Sequence, residues 1–175
     1  SVLARFHGAF AGPNEIELLS VSTTHGLPRY LKILREALTA HSQHEKFIEI
    51  ETLARQIINA AHELPQVRLN AARVVHGDPK ISNILFDPTG HGVCLVDLDT
   101  VGLMPLVWEL GDAFRSWCNP QGEDVADTHF SLELFRAALE GYATVARTPM
   151  DQCDIDGIVP AIQTIYTELA VRFCA

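Results

Sequence analysis

The segment from Val74 to Thr100 reads VVHGDPKISNILFDPTGHGVCLVDLDT and contains two short apolar runs on either side of a turn. The runs are ILF at 84–86 and VCLV at 93–96, and DPTGHG lies between them. Proline and glycine interrupt regular structure, whereas β-branched and aromatic residues favour strands. The segment therefore predicts a small antiparallel β-hairpin.

Polar side chains gather at the open end of this predicted hairpin. They are His76, Asp78, Lys80 and Asn83 before it, and Asp97 and Asp99 after it. If Phe86 pairs with Val93, Asn83 lies opposite Val96 and therefore beside Asp97. Opposed and diagonal residues of paired strands lie roughly 5–8 Å apart. An amide oxygen and carboxylates at that separation can hold a hard cation, so we predict a chemical site here.

The spacing within this site is specific. Residues 76–83, HGDPKISN, follow the pattern H-x-D-x-x-x-x-N, which is the spacing of the catalytic loop of protein kinases. In that pattern Asp78 would face a substrate hydroxyl as the base, Asn83 would face Mg²⁺, and Asp97 would bridge the metal to nucleotide phosphates. An isolated H-G-D is more often a turn, and a lone Asp after a strand is more often a cap. The ordered combination of loop, strand, turn, strand and D-x-D favours phosphoryl transfer.

Composition limits the other functions. The 175 residues fit one domain with a substantial core, and 47% are hydrophobic. A net charge of −9 with only three lysines argues against a nucleic-acid or anionic-membrane partner. No apolar run is long enough to span a bilayer, and no signal peptide is recognisable. The cysteines lack a C-x-x-C spacing, which favours reduced thiols in the cytoplasm: Cys94, Cys118, Cys153 and Cys174. Nothing in the sequence indicates an oligomeric state.

The rest of the chain has helical periodicity. Helices are predicted over Val2–Phe10, Tyr30–His41, from the Ser42 cap to just before Pro65, over Pro105–Trp117, Leu132–Ala146 and from near Asp156 to Phe173. Ser42 and Glu45 have capping-box spacing ahead of the third helix, and Pro160 would fall in the first turn of the last. Leu132 and Phe173 have core spacing. The fold class predicted for residues 1–175 is therefore α+β, a mostly helical single domain with a small antiparallel hairpin that carries the catalytic loop.

With HGDPKISNILFD followed by CLVDLDT, the chain resembles the aminoglycoside phosphotransferase and choline kinase family of the protein-kinase-like fold. The motifs D-L-D-T and G-D-A-F-R are similar to those of its sugar-kinase members, such as N-acetylhexosamine kinases. The resemblance covers 74–117 well, and Leu3–His7 is similar to the helix that begins the family's larger, C-terminal lobe. It implies ATP and Mg²⁺ as cofactors, Asp78 as catalytic base, and Asn83 and Asp97 as metal ligands. It also makes Asp99 a further contact to metal or substrate. Lys80 matches the lysine of protein-kinase loops, which contacts the transferred phosphate, and many aminoglycoside phosphotransferases lack this lysine.

The sequence departs from this family in two ways. Glu109 stands where the family often has Asp. Asp112 is therefore an alternative for the role of that family Asp. Asp112 and Arg115 are, however, better explained as a structural ion pair that anchors the catalytic loop. The phosphate-binding glycine loop and the strand lysine are missing, since Gly90-His91-Gly92 lies in the hairpin turn. We therefore expect a C-terminal lobe whose N-terminal nucleotide-binding lobe is absent, through truncation or as a gene fragment.

Three functions follow from these patterns. The first is transfer of the γ-phosphate of ATP to a hydroxyl of an aminoglycoside or sugar, with this chain inactive alone. The second is a non-catalytic pseudokinase or binding lobe, and the third is a metal-dependent phosphohydrolase. The acidic residues Asp151, Asp154 and Asp156 are better explained as turn formers and helix caps than as a pocket for a cationic substrate.

Overall fold

The computed structural model describes residues 1–11, 21–22, 24–122, 125 and 128–175. In this part of the chain, six α-helices surround two small antiparallel sheets. The helices are α1 (Val2–Ala9), α2 (Leu27–Ala40), α3 (Phe47–Glu63), α4 (Leu106–Trp117), α5 (Leu132–Ala143) and α6 (Gln152–Cys174). The strands are β1 (Ala72–Val75), β2 (Ile84–Phe86), β3 (Gly92–Leu95) and β4 (Gly102–Pro105), with 3₁₀ turns at Ile81–Asn83 and Leu98–Thr100. The predicted mostly helical α+β class is confirmed.

The hairpin is formed by β2 and β3, with nearly the expected register. Ile84 pairs with Leu95 and Leu85 with Cys94, as predicted, but Phe86 pairs with Gly92 rather than Val93 because the register shifts after Leu85. In the turn, the Asp87 side chain accepts three hydrogen bonds, from the N–H groups of residues 89 and 91 and the hydroxyl of residue 89. This compact turn moves the start of β3 back to residue 92.

The second sheet pairs β1 with β4, which the sequence did not predict. Arg73 lies opposite Met104 and Val75 opposite Gly102. The strand Gly102–Pro105 was hidden because glycine and proline are both depleted in strands. This sheet carries the chain into the predicted catalytic loop on one side and into α4 on the other.

The core forms where α4 packs against α6. Leu110 and Phe114 are fully buried on α4. A Cβ at Gly111 would lie 2.9 Å from the Cβ of Ala161, so glycine permits the close approach of the two helices. Leu3 of α1 belongs to the same core. The helix α4, which follows β4 in the chain, is therefore part of a well-packed core.

Two predicted helix starts are wrong. The predicted capping box of Ser42 and Glu45 does not form, because residues 41–46 make successive turns and α3 begins at Phe47, after Lys46, without a side-chain cap. Helix α6 begins at Gln152 rather than near Asp156. Its capping box joins the side chains of Asp151 and Asp154 to each other's backbone N–H groups, which confirms these two residues as caps.

The remaining differences are local. Pro160 lies inside α6, well beyond its first turn. Helix α2 includes Pro28, and α1 and α5 end earlier than predicted. Leu132 and Phe173 are 74% and 88% exposed and are not core residues. Leu132 follows the cap directly, and Phe173 lies on the opposite side of α6 from Val171 and Cys174, which pack against α2 and α3. None of the described helices has the length and apolarity needed to cross a membrane.

Candidate active site

His76 is the structural centre of the predicted catalytic loop. Its ring is completely buried, and Nε2 lies 2.9 Å from the carbonyl oxygen of Val96, at the end of the hairpin. A carbonyl only accepts, so Nε2 carries the proton. The carbonyl of His76 accepts the hydroxyl of Thr100 at 2.8 Å. His76 therefore joins the loop to the segment that contains Asp97 and Asp99, and it has a structural role.

Glu109 of α4 holds the backbone of this loop. Its two carboxylate oxygens accept the N–H groups of His76 at 2.8 Å and Gly77 at 2.9 Å, and His7 lies 3.2 Å away through Nε2. The carboxylate is fully buried, so these donors replace the water it has lost. Glu109 therefore anchors the loop. Asp112 is paired with Arg115 at 2.8 Å, as predicted, and within the described part of the chain no hydrogen bond joins it to the backbone of the loop.

Gly77 adopts a left-handed conformation, with φ of +85°. A Cβ at this position would lie 2.3 Å from the carbonyl oxygen of Thr100. Both the backbone angle and the close approach therefore require glycine. This turn directs the chain from the buried His76 to the partly exposed Asp78.

The far end of α4 holds the other half of the loop. The indole Nε1 of Trp117 donates to the carbonyl of Pro79 at 2.7 Å, and the hydroxyl of Ser116 accepts the N–H of Ile81 at 3.1 Å. One rigid helix thus fixes the loop on both sides of Asp78. The sequence did not indicate that Ser116 or Trp117 contacts the loop.

Asp78, Lys80 and Asn83 are brought together as predicted. Lys80 Nζ lies 2.7 Å from Asp78 Oδ2. The amide nitrogen of Asn83 donates to the backbone carbonyl of Asp78 at 2.9 Å and to its Oδ2 at 3.1 Å. Because both partners are acceptors, the amide orientation is determined, and the Asn83 oxygen is left for another ligand.

Asp97 is tied to the same group through the backbone. The N–H of Val96 donates to the carbonyl of Asn83 at 3.0 Å, which places Asp97 directly after the residue opposite Asn83, as predicted. Asp97 has φ of +65° and is the only non-glycine residue with positive φ in the described ranges. Such strained backbone is concentrated at functional sites. Asp99 is exposed in the 3₁₀ turn, and no contact joins it to Asp78 or Asn83.

A cavity of about 310 Å³ opens beside Asp78. Its described lining includes Asp112 and Arg115 of α4 and Glu168 and Arg172 of α6. Burial raises the pKa of Asp112 above its ordinary value, and the Arg115 guanidinium offsets this only in part. Burial has the larger effect because Asp112 is only 7% exposed. A buried ion pair of this kind is weak evidence for a contribution to stability.

The oxygen donors fit a hard cation. Asn83 offers an amide oxygen, and Asp97 offers an exposed carboxylate. Both groups are oxygen ligands that can coordinate Mg²⁺. No cluster of three or more His, Cys, Asp or Glu side chains suited to a metal occurs in the described part of the chain. A Mg²⁺ site here would thus use few protein ligands and take the rest from water and phosphate, which is usual for this ion.

The sequence model of the APH family, described as a phosphotransferase enzyme family, matches residues 1–146. The chain belongs to this family. The match includes the loop at Asp78, the hairpin and the whole of α4, so the APH pattern covers the site described above.

A solved structure is also similar to this APH chain. It is the crystal structure of aminoglycoside-3'-phosphotransferase of type VIII, with a TM-score of 0.47 and 16% sequence identity. The similarity covers 93% of this chain and 58% of that one, so the chain spans somewhat more than half the length of that structure.

Proposed function

We propose that this chain is the catalytic, C-terminal lobe of an ATP-dependent kinase that moves the γ-phosphate to a hydroxyl of a small molecule, an aminoglycoside or a sugar. The observation that carries the proposal is the grouping of Asp78, Lys80 and Asn83 on a loop that α4 holds from both sides. Phosphoryl transfer depends on positioning and charge neutralisation, and a rigid loop with these groups supplies both.

The roles follow from the contacts. Asp78 orients the acceptor hydroxyl and takes its proton at the carboxylate, whose Oδ2 is the oxygen held by Lys80 and Asn83. Asn83 and Asp97 hold Mg²⁺, which when bound supplies charge neutralisation at the phosphates. Lys80 now neutralises Asp78 at 2.7 Å and can turn to the transferred phosphate. Asp99 is a further contact to metal or substrate, which its exposure allows.

The hairpin supports the proposal of a second, nucleotide-binding lobe. Leu85 and Cys94 pair across the strands, and both side chains are exposed, whereas Ile84 and Leu95 face the core. Antiparallel sheets with one solvated face are usually polar on that face. An apolar outer face next to Asn83 is suited to cover by a further lobe. Alone, the 175-residue chain would be inactive, because the nucleotide would lack the other half of its site.

The cysteines support a reducing compartment. All four are free, and burial raises the pKa of the Cys118 thiol to about 11. Free thiols persist where glutathione and thioredoxin keep them reduced. We therefore place the kinase in the cytoplasm.

The experiment is an assay of the intact two-lobed protein with MgATP and a panel of aminoglycosides and sugars. The proposal predicts ATP consumption that depends on one acceptor and produces a phosphorylated acceptor. Tight MgATP binding without transfer to any acceptor would instead identify a pseudokinase. Release of free phosphate at the same rate with and without acceptor would identify a phosphohydrolase.

A further inference from the structure

The cleft beside Asp78 is electrically balanced, although the chain as a whole is acidic. The described residues that line it contribute three carboxylates, Asp78, Asp112 and Glu168, and three cations, Lys80, Arg115 and Arg172. The net charge of the chain is −9. The excess of negative charge in this protein therefore lies elsewhere, and the cleft itself has no acidic surplus.

Each carboxylate of the cleft already has a partner. Asp78 lies 2.7 Å from Lys80, and Asp112 lies 2.8 Å from Arg115. Glu168 accepts the backbone N–H of Gly26 at 2.7 Å and lies 3.3 Å from Nδ1 of His25. Charge-assisted contacts of this kind already balance the charge of each carboxylate. A positively charged acceptor would therefore find no uncompensated carboxylate among the described residues of the cleft.

Arg172 is different from the other two cations. Its guanidinium stands over the ring of Tyr30, 5.2 Å from the centroid, and it forms no ion pair with any carboxylate of the described chain. The side chain is exposed on α6 where this helix borders the cleft. Contact with an aromatic ring restrains the guanidinium group. Its N–H donors remain able to bind another acceptor.

His25 is a further polar residue on this wall. It lines the cleft and its side chain is 7% exposed, and its Nε2 is buried with no hydrogen-bond partner among the residues that the structure describes. Glu168 accepts from Nδ1, so Nε2 is the ring atom that lacks a partner. Buried polar groups are rarely left unpaired, and a hydroxyl group is a suitable partner for an imidazole nitrogen.

We propose that the acceptor of this kinase is a sugar without positive charge, neutral or anionic, and that Arg172 determines this specificity by repelling cations and donating to acceptor oxygens. The inference rests on the proposed function, since it names the substrate class for the same cleft. An ammonium group near the guanidinium would be repelled, and a carboxylate would be attracted.

The test is a titration of the 175-residue chain with ligand in the absence of nucleotide. Binding is measured from the changes in NMR chemical shifts. The ligands are glucosamine, N-acetylglucosamine and glucuronate, which share one ring and differ in charge, together with kanamycin as a polycation. A mildly acidic buffer keeps the amines protonated. The variants are Arg172→Glu and, as a matched control with the same charge change on exposed α5, Arg136→Glu.

We expect the wild-type chain to bind N-acetylglucosamine and glucuronate about tenfold more tightly than glucosamine and kanamycin. R172E should reverse the order of glucuronate and glucosamine, and R136E should keep the wild-type order. Tightest binding of glucosamine or kanamycin, an unchanged order in R172E, or binding of none of the four would overturn the inference. Because no nucleotide is present, these results are read separately from the kinase assay, which tests the proposed function.

Discussion

The backbone N–H of Gly77 donates to the carboxylate of Glu109 at 2.9 Å, across 32 positions of sequence. The second oxygen of Glu109 accepts from His76, so one buried side chain satisfies two consecutive N–H groups of the loop. Asp78 follows directly. The position of the proposed base is therefore set by a residue that never contacts the substrate.

Replacing Glu109 tests this anchor. Glu109→Ala leaves two buried N–H groups without an acceptor and should lower the free energy of unfolding by about 3 kcal/mol. Glu109→Gln keeps one acceptor oxygen but turns an amide donor towards the other N–H, so its loss should be intermediate. Urea unfolding measures both changes in the free energy of unfolding, provided that its dependence on urea concentration is the same in the variants and the wild type. Equal stability of E109A and wild type would show that the loop is held by other contacts.

Gly77 and Gly90 form a matched pair, since their φ angles are +85° and +84°. Nothing lies within 4 Å of a Cβ at Gly90, whereas at Gly77 the Thr100 carbonyl oxygen is 2.3 Å away. Gly90→Ala should lower the free energy of unfolding by about 1 kcal/mol, because alanine is strained in the left-handed conformation. Gly77→Ala adds a backbone clash and should cost about 4 kcal/mol or prevent folding. Thermal unfolding of both variants compares the two, and similar losses would contradict the close approach of Gly77 to Thr100.

Asp97 should show a conflict between stability and function. With φ of +65°, Asp97→Gly relieves the left-handed backbone and should stabilise the chain by up to about 1 kcal/mol, whereas Asp97→Ala should destabilise it by about as much. Both variants lose a proposed metal ligand. Calorimetric unfolding gives the stability, and the Mg²⁺ dependence of transfer in the intact protein gives the function. If D97G were less stable than D97A, the left-handed conformation of Asp97 would be ruled out.

The cap of α6 should make stability depend on pH. Hydrogen bonds from the Asp154 backbone and the Asn70 side chain lower the pKa of Asp151. A carboxyl whose folded pKa lies below its unfolded pKa binds fewer protons when folded, so its stabilisation is present above the ordinary Asp pKa and is lost as pH falls through the lowered value. Asp151→Ala should remove this component and flatten the acid limb of the stability curve.

The matched control is the cap of α5, where the Ser131 hydroxyl accepts the N–H of Leu134. Ser131→Ala should cost about 1 kcal/mol at every pH, because serine does not titrate in this range. Stability is followed by urea unfolding from neutral to acidic pH. An acid limb in D151A as steep as in the wild type would show that Asp151 does not cause the pH dependence.

The local parts of the site could be predicted from the sequence, and the long-range parts could not. The five-residue spacing of Asp78 and Asn83 and the period of two in the hairpin limit where these side chains can point, so their proximity followed from pattern alone. The shift at Phe86 depended on side-chain contacts within the turn, which strand periodicity does not encode.

The anchoring role of Glu109 was not predicted, because its partners in the loop lie more than thirty residues earlier. One signal was present: Glu109 stands beside Leu110, one helical turn after Leu106, on the apolar face of LVWELGDAF. An acid on a buried face requires partners. The β4 strand was missed for a different reason, since GLMP has weak strand propensity and forms only because β1 lies beside it.

The most direct test of the central claim is single-turnover transfer from γ-labelled ATP in the intact two-lobed protein. The comparison is wild type, Asp78→Asn and, as a control of the same chemistry at an exposed position of α6, Asp156→Asn. We predict that D78N binds MgATP normally and transfers at least about 10²-fold more slowly, because the amide cannot take the hydroxyl proton, while D156N behaves as wild type. Transfer by D78N within a few-fold of wild type would contradict the assignment of Asp78 as the base.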